Sequence, residues 1–246
     1  MRQFGLIGKS LSHSFSKTYF EEKFRRERIS NASYSLFEIA DIQEITAFIQ
    51  QHPALVGFNV TIPYKQTIIP FLDELSDEAA TVNAVNTVLI QHIDNKTITK
   101  GFNTDIIGFR LSLQGFDIPD CALVLGTGGA AAAITYVLEE QECRCTTISR
   151  DEQKGIPYSA LTEDMIQQHR LIVNCTPLGT YPDINQKPDI PYEGISSEHF
   201  LYDLVYNPAE TAFLKEGIRR GAKTCNGLPM LHAQAEAAWK IWSANR

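Results

Sequence analysis

"LVLGTGGAAAAI", residues 123–134, decides the fold. An apolar run at 123–125 leads directly into glycines at 126, 128 and 129, and an alanine-rich stretch of helix-forming composition follows at once. The spacing is G-x-G-x-x-A. Gly126 permits a tight turn, Gly128 lets a pyrophosphate approach the backbone, and Ala131 is small enough for close helix–strand packing. Thr127, Gly129 and Ala130 complete the loop. A helix that starts here offers unpaired amide donors and the positive end of its dipole to a phosphate. A tight turn with no ligand is the plainer alternative for any glycine loop. A further strand at "RCTTIS", residues 144–149, turns the odds towards a βαβ dinucleotide site.

The end of that second strand reads the ribose. An NAD site places Asp or Glu there for the 2′-hydroxyl, whereas an arginine accommodates the 2′-phosphate of NADP. Here Ser149 and Arg150 come before the acids Asp151 and Glu152, so NADP is expected, with NAD as a weaker alternative. A solvated arginine is the ordinary reading against which Arg150 is weighed.

Working outward from the loop, short apolar runs alternate with longer helical patterns, which argues for βα units and largely parallel sheets. Strands are expected at 3–7, 34–37, 55–60, 84–91, 97–102, 122–126, 144–149, 170–174 and 200–205. Helices are expected near 16–27, 41–50, 64–75, 77–82, 103–115, 129–141, 209–221 and 229–242. The fold class is α/β with two α/β domains. Residues 1–103, completed by a C-terminal helix within 226–246, form the first, and residues 104–225 form a Rossmann-like dinucleotide domain.

Composition excludes several function classes. The 246 residues carry a net charge of −7 and no run of five basic residues, which argues against a nucleic acid or an anionic membrane surface as partner. No apolar stretch reaches the roughly 18 residues of a membrane span, and "MRQFGLIGKSLSHSF" has too short an apolar run for a secretory signal. Five cysteines without a C-x-x-C pair fit reduced, buried thiols in a cytoplasmic protein. Six scattered histidines offer no metal-ligand spacing, and no metal is expected.

"GFNVTIPYK", residues 57–65, poses a separate question. Pro63 suits the first turn of a helix after the strand at 55–60, which puts Lys65 at the positive end of a helix dipole, where acids are favoured. A solvated lysine is the usual explanation. The other is a cation aimed at chemistry.

The chain as a whole resembles the shikimate dehydrogenase family through five ordered motifs. "HSFS" (13–16) is similar to H-S-x-S, whose two hydroxyls, here Ser14 and Ser16, hold the substrate carboxylate. "NVTIPYK" is close to N-V-T-x-P-x-K, which implies Thr61 at the substrate and Lys65 as the catalytic lysine. "AVNT" supplies Asn86 for a ring hydroxyl, and "GFNTDIIGF" resembles G-x-N-T-D-x-x-G, whose aspartate, Asp105, partners the lysine. "GLPMLHAQ" matches G-x-x-M-L-x-x-Q, with Gly227 and Met230 on the nicotinamide side and Gln234 at the substrate. "YDLVYNP" adds Leu204 for the cofactor and Tyr206 for the substrate, while "NCTPLGTYP" resembles the cofactor-lining loop and brings in Thr176. His13 is a neighbour of the site without a chemical role. The chain departs from the family at Ser10 and Lys17, where prolines are usual, and at Ser149-Arg150-Asp151, which stands in for an asparagine-arginine-threonine clamp. It is also short for the family.

The resemblance implies reversible reduction of 3-dehydroshikimate to shikimate by NADPH, in a cleft between two domains, by a monomer or homodimer. The residue types suit that reaction. Hydride arriving at a carbonyl carbon leaves negative charge on oxygen, and a lysine ammonium is protonated at neutral pH and can supply the proton. Each residue also has an ordinary reading: Asp105 as a helix-start acid, Ser14 and Ser16 as capping hydroxyls, Thr61 and Asn86 as strand-end turns, Met230 and Tyr206 as core, Gln234 as an exposed polar residue. Jointly, in this order beside a phosphate loop, the ordinary readings fail. Three other functions compete. A quinate/shikimate dehydrogenase that also uses NAD shares these motifs. A non-catalytic metabolite sensor would be expected to lose Lys65 or Asp105. A folate-type dehydrogenase is disfavoured by the carboxylate-binding "HSFS".

Overall fold

The computed structural model describes residues 1–11, 14–94 and 96–244. The chain forms two compact units, Met1–Thr104 with Ala235–Arg246, and Asp105–Gln234. Its elements run β1 (Arg2–Gly8), α1 (Ser16–Arg26), β2 (Ala32–Glu38), α2 (Ile45–Gln51), β3 (Leu55–Val60), α3 (Tyr64–Thr67), β4 (Glu74–Leu75), α4 (Asp77–Thr81), β5 (Thr87–Ile93) and β6 (Lys96–Phe102). Then follow α5 (Thr104–Ser112), β7 (Cys121–Leu125), α6 (Gly129–Glu139), β8 (Arg144–Ser149), β9 (Ile156–Pro157), α7 (Glu163–Gln168), β10 (Leu171–Asn174), β11 (Phe200–Asp203), α8 (Ala212–Arg219), β12 (Lys223–Cys225) and α9 (Leu228–Ala244).

The first unit holds a six-stranded mixed sheet in the order β2-β1-β3-β5-β6-β4. Strands β1, β2 and β3 pair in parallel, while β5 runs antiparallel to both β3 and β6. Because β1 and β3 are covered on both faces, they read as nearly continuous apolar runs. Ile7, Phe58, Val60, Ile68 and Val88 fill one face. Phe4, Phe20, Tyr34, Leu89, Trp239 and Trp242 fill the other. The C-terminal half of α9 is fixed there. Trp242 Nε1 donates to Val88 O at 2.9 Å, and the buried Lys23 pairs with Glu236 at 2.8 Å while Tyr19 hydrogen-bonds the same carboxylate.

The second unit is an all-parallel six-stranded sheet, β12-β11-β10-β7-β8-β9. The order reverses between β7 and β10, the topological switch point at which open α/β sheets bind ligands beyond the carboxyl ends of their strands. Its core joins Leu123, Leu125, Ile148, Ile172, Leu201 and Phe213. Side-chain caps set its helix starts: Thr162 Oγ1 accepts from Met165 N and Thr211 Oγ1 from Leu214 N, both at 3.2 Å.

Several expectations need correcting. The helix expected over 64–75 is only α3, a 3-10 turn at Ile69–Phe71 and the short strand β4. Pro70 lacks an amide donor and stops propagation, and β4 is recruited by pairing with β6. Of the five unpaired thiols, only Cys143 is fully buried; the others are half-buried.

Candidate active site

In the second unit the glycine loop has the geometry its spacing requires. Gly126 sits at φ +113°, in the region that favours glycine, and its amide donates to Ile148 O at 2.8 Å. A Cβ there would lie 3.3 Å from Thr176 Cγ2, so the loop rests directly on the loop after β10. Gly128 is the N-cap of α6, with no side-chain cap and no acid in the first turn. A Cβ on Gly128 would meet nothing within 4 Å. Thr127 and Gly128 are exposed, whereas Gly129 and Ala130 are half-buried at the helix start. The start of α6 thus has no side-chain cap among the described residues and open space at Gly128, a cradle that fits a pyrophosphate.

At the end of β8, Ser149 is buried and its Oγ accepts from Asp151 N at 3.0 Å. Arg150 is exposed. The Asp151 carboxylate accepts from Gln153 N at 3.1 Å and pairs with Lys154 at 3.4 Å. The acid beside Arg150 is thus engaged within its own loop.

Thr176 is locked through Asn174, whose Oδ1 accepts from Thr176 N at 3.0 Å and from Thr176 Oγ1 at 2.6 Å. Leu204 meets Gly227 edge-on: a Cβ on Gly227 would be 2.0 Å from Leu204 O, so only glycine fits. Gly227 N donates to Val205 O at 3.1 Å. Met230 is buried, while Tyr206 and Gln234 are half-buried. The N-terminal part of α9 packs tightly on α5, where a Cβ on Gly108 would approach Met230 O to 2.7 Å and Gln234 Cβ to 2.9 Å. Asp105 is buried in the first turn of α5, where the dipole favours an acid.

In the first unit, the end of β3 gathers residues that are far apart in sequence. Thr61 N donates to Ile7 O at 2.9 Å, Val60 N to Asn86 O at 2.8 Å, and Val85 N to Lys65 O at 2.7 Å. Thr61 and Lys65 are half-buried and Asn86 is buried. Asn86 Oδ1 accepts from Thr104 N at 2.7 Å, Thr104 Oγ1 at 3.0 Å and Thr87 Oγ1 at 3.1 Å, which fixes the side chain's orientation. Helix α3 is a single four-residue turn, so the dipole that opposes Lys65 is small and the lysine's position costs little.

Ser14 Oγ accepts from Ser16 N at 3.3 Å. Ser16 opens α1, which has no side-chain cap. Burial pushes the Tyr34 phenol above its usual range, and a hydrogen bond with the Ser16 side chain acts in the opposite sense. His13 lies outside the described residues. Among the described residues, no group of three His, Cys, Asp or Glu side chains is placed to hold a metal, and no helix is long and apolar enough to cross a membrane.

Sequence reasoning missed the supporting residues. Asn59 accepts from Tyr34 OH at 2.8 Å and donates to Asn86 O and Thr87 Oγ1, so it positions the strand end and is used up in doing so. Asn174, Asp203 and Thr211 form a second buried network. The signal was a polar residue closing an apolar strand, as in "LIVN" and "FLYD".

Known proteins share this arrangement. The family model described as "Shikimate dehydrogenase substrate binding domain" matches residues 6–88. A "Shikimate dehydrogenase (NADP(+))" of Clostridium beijerinckii is 38% identical over 255 residues, covering 98% of this chain and 92% of its own. A solved shikimate 5-dehydrogenase of Thermus thermophilus, in complex with NADP(H) and shikimate, matches with a TM-score of 0.85 at 31% identity, over 99% of this chain and 94% of that one. A quinate dehydrogenase of Corynebacterium glutamicum in complex with NAD reaches 0.86 at 26% identity, with the same coverage of both chains. A mixed-sheet unit joined to an all-parallel Rossmann-like unit with a glycine-rich first turn is the build of a dinucleotide-dependent dehydrogenase. The chain belongs to the shikimate dehydrogenase family.

Proposed function

We propose that this chain catalyses the reversible reduction of 3-dehydroshikimate to shikimate with NADPH, a step towards chorismate and the aromatic amino acids. The observation that carries the reading is the junction after β3, where backbone hydrogen bonds tie the Lys65 turn and the Asn86 strand start together beside Thr61. Ser14 and Ser16 hold the substrate carboxylate, while Thr61, Asn86, Tyr206 and Gln234 hold ring oxygens. With Asn86 Oδ1 committed to Thr104, its amide NH2 is the end that meets a ring hydroxyl.

The residues of the second unit fit the dinucleotide. Gly126, Thr127, Gly128, Gly129 and Ala130 receive the pyrophosphate. Ser149 and Arg150 receive the ribose 2′-phosphate, and Thr176, Leu204, Gly227 and Met230 line the nicotinamide side. The hydride is supplied by NADPH when bound. Lys65 gives its proton to the carbonyl oxygen as charge develops there, and takes it back in the oxidative direction. Asp105 is the carboxylate that keeps this ammonium charged and oriented. The free thiols suit a reducing, cytoplasmic setting.

NADP is favoured over NAD because Arg150 is exposed while Asp151 is bound to Gln153 N and Lys154. Initial rates with shikimate and with quinate, each measured with NADP and with NAD, test the reading. Shikimate with NADP should give the highest kcat/KM. A preference for quinate and NAD would move the chain to the quinate/shikimate function, and no turnover of either acid would refute catalysis.

A further inference from the structure

Beneath the cofactor-lining loops lies a closed polar network that the reaction itself does not use. Asn174 and Asp203 are register partners at the ends of β10 and β11, and both are completely buried, as is Thr211. Three donors converge on the Asp203 carboxylate. Asn174 Nδ2 at 2.9 Å and Val205 N at 3.0 Å reach Oδ1, and the Thr211 hydroxyl at 2.5 Å reaches Oδ2. All three are uncharged, and no ion pair accompanies the carboxylate among the described residues. Burial pushes the carboxyl up to about 6, with the three donors pulling it back.

Leaving a carboxylate there without a counter-ion is expensive, so the network is informative about what it holds. Asn174 spends its donor on Asp203 and its oxygen on Thr176, so the turn after β10 is fixed from below. Val205 follows Leu204, and its amide is fixed by Asp203 while its carbonyl accepts from Gly227 N. Leu204 N in turn donates to Asn174 O at 2.9 Å. Gly126 rests on Thr176, and Gly227 on Leu204. Both pairs are therefore tied to one carboxylate, through Asn174 on the Thr176 side and through Val205 on the Leu204 side.

We infer that Asp203 is a positioning residue for cofactor binding, the buried acceptor that holds the Thr176 and Leu204 loops in register with Gly126 and Gly227. This rests on the reading of those loops as the dinucleotide site. It assigns Asp203 no contact with either ligand, so its loss should weaken the cofactor and spare the substrate.

Asp203→Asn is the test, because it keeps the shape but exchanges the charged acceptor shared by Asn174, Val205 and Thr211 for a neutral amide with a single acceptor oxygen. NADP KM should rise about 10-fold, the scale of a lost hydrogen bond to a buried charged group, with shikimate KM held within about twofold. Thr211→Val is the control. It removes one donor and the α8 cap but leaves Asn174 and Val205 on the carboxylate, so it should lower Tm and leave NADP KM within about twofold. Should Asp203→Asn fail to fold, Asn174→Ser carries the same expectation. If NADP KM is unchanged, or if it rises in both variants in proportion to lost Tm, Asp203 is merely structural and the inference falls. Absence of NADP turnover in the wild type would instead sink the functional reading on which it rests.

Discussion

The two sheets have six strands each, yet they prepare for ligands by different means. In the second, the whole sheet is parallel, and the groups proposed for the pyrophosphate are backbone amides at the end of a strand. The Gly126 turn and the uncapped start of α6 do this with almost no side chain. In the first, an antiparallel β5 is laid beside β3, which brings Asn86 to the end of the strand that leads to Thr61 and Lys65. There the proposed roles fall to side chains held by their neighbours: Thr104 orients the Asn86 side chain and Asn59 braces the Asn86 backbone. Backbone sites are defined by where side chains are missing, and side-chain sites by what surrounds them. The comparison suggests a division of labour for the proposed roles: Lys65, Thr61 and Asn86 of the first unit are assigned to proton chemistry and substrate, with Asp105, Tyr206 and Gln234 of the second assisting them, while the glycine loop and Arg150 of the second are assigned to the cofactor.

The largest expected effect breaks the first side of that division. Lys65→Ala or Lys65→Met should lower kcat by at least about 10²-fold, the usual loss for a general acid–base group, with little change in shikimate KM. Wild-type turnover in a folded variant would remove Lys65 from the mechanism. Asp105→Asn should cost kcat a comparable or smaller factor; a change in Tm alone would make it a helix-start acid and no more.

Binding effects come next. Ser14→Ala combined with Ser16→Ala should raise shikimate KM by about 10-fold or more, since hydrogen bonds to a charged group are worth about 1.5–3 kcal/mol each, less where water substitutes. NADP KM should stay put, and an equal effect on it would put these serines elsewhere. Arg150→Ala sharpens the other side. It should lower kcat/KM for NADP by about 10-fold and barely alter that for NAD, because only NADP offers a 2′-phosphate to a guanidinium. Equal losses with both would make Arg150 structural.

The smallest effects concern stability, and two carboxylates of the second unit should respond to pH in opposite senses. Glu216 is held down to about 2 by Lys187 first, then by Arg219 and Arg220. Its contribution should be complete above its ordinary 4.5 and lost as pH falls towards 2. Asp203, raised from 3.8 to about 6 by burial, contributes fully only below 3.8, and that contribution is lost as pH rises through 6. Denaturant titrations of wild type against Glu216→Gln and against Asp203→Asn should show differences that change in those two windows. A difference flat across either window would contradict the assigned environment.

Much of the second unit was readable because its signals are local. The strand at 144–149 is found to the residue, and the glycine spacing specifies its own turn. Strands β9 and β12 were not seen, since two or three residues have no periodicity, and they form only because a neighbouring strand is there to pair with. Helix α7 carries a cap at Thr162 and acids in its first turn, but its six residues show too little apolar pattern. In the first unit, β3 is found to the residue, whereas β5 begins at Thr87, three positions later than expected. Ala84 is instead bonded to Ala79, Val85 to the Lys65 turn and Asn86 to β6. The site residues there were legible only together: Asn86, Thr61 and Lys65 each have a commonplace explanation, and their order along the chain supplied the rest. Asp203 was hidden because a buried acid in "FLYD" becomes meaningful only when its three donors, one 29 residues upstream, are in place.

The division of labour is tested most directly by the dissociation constant of NADP for the folded Lys65→Ala protein, titrated without shikimate. The account assigns Lys65 no contact with the cofactor, so it predicts a value within about twofold of wild type in a protein whose turnover has been lost. Loss of NADP binding along with turnover would contradict it, because Lys65 would then belong to the cofactor site.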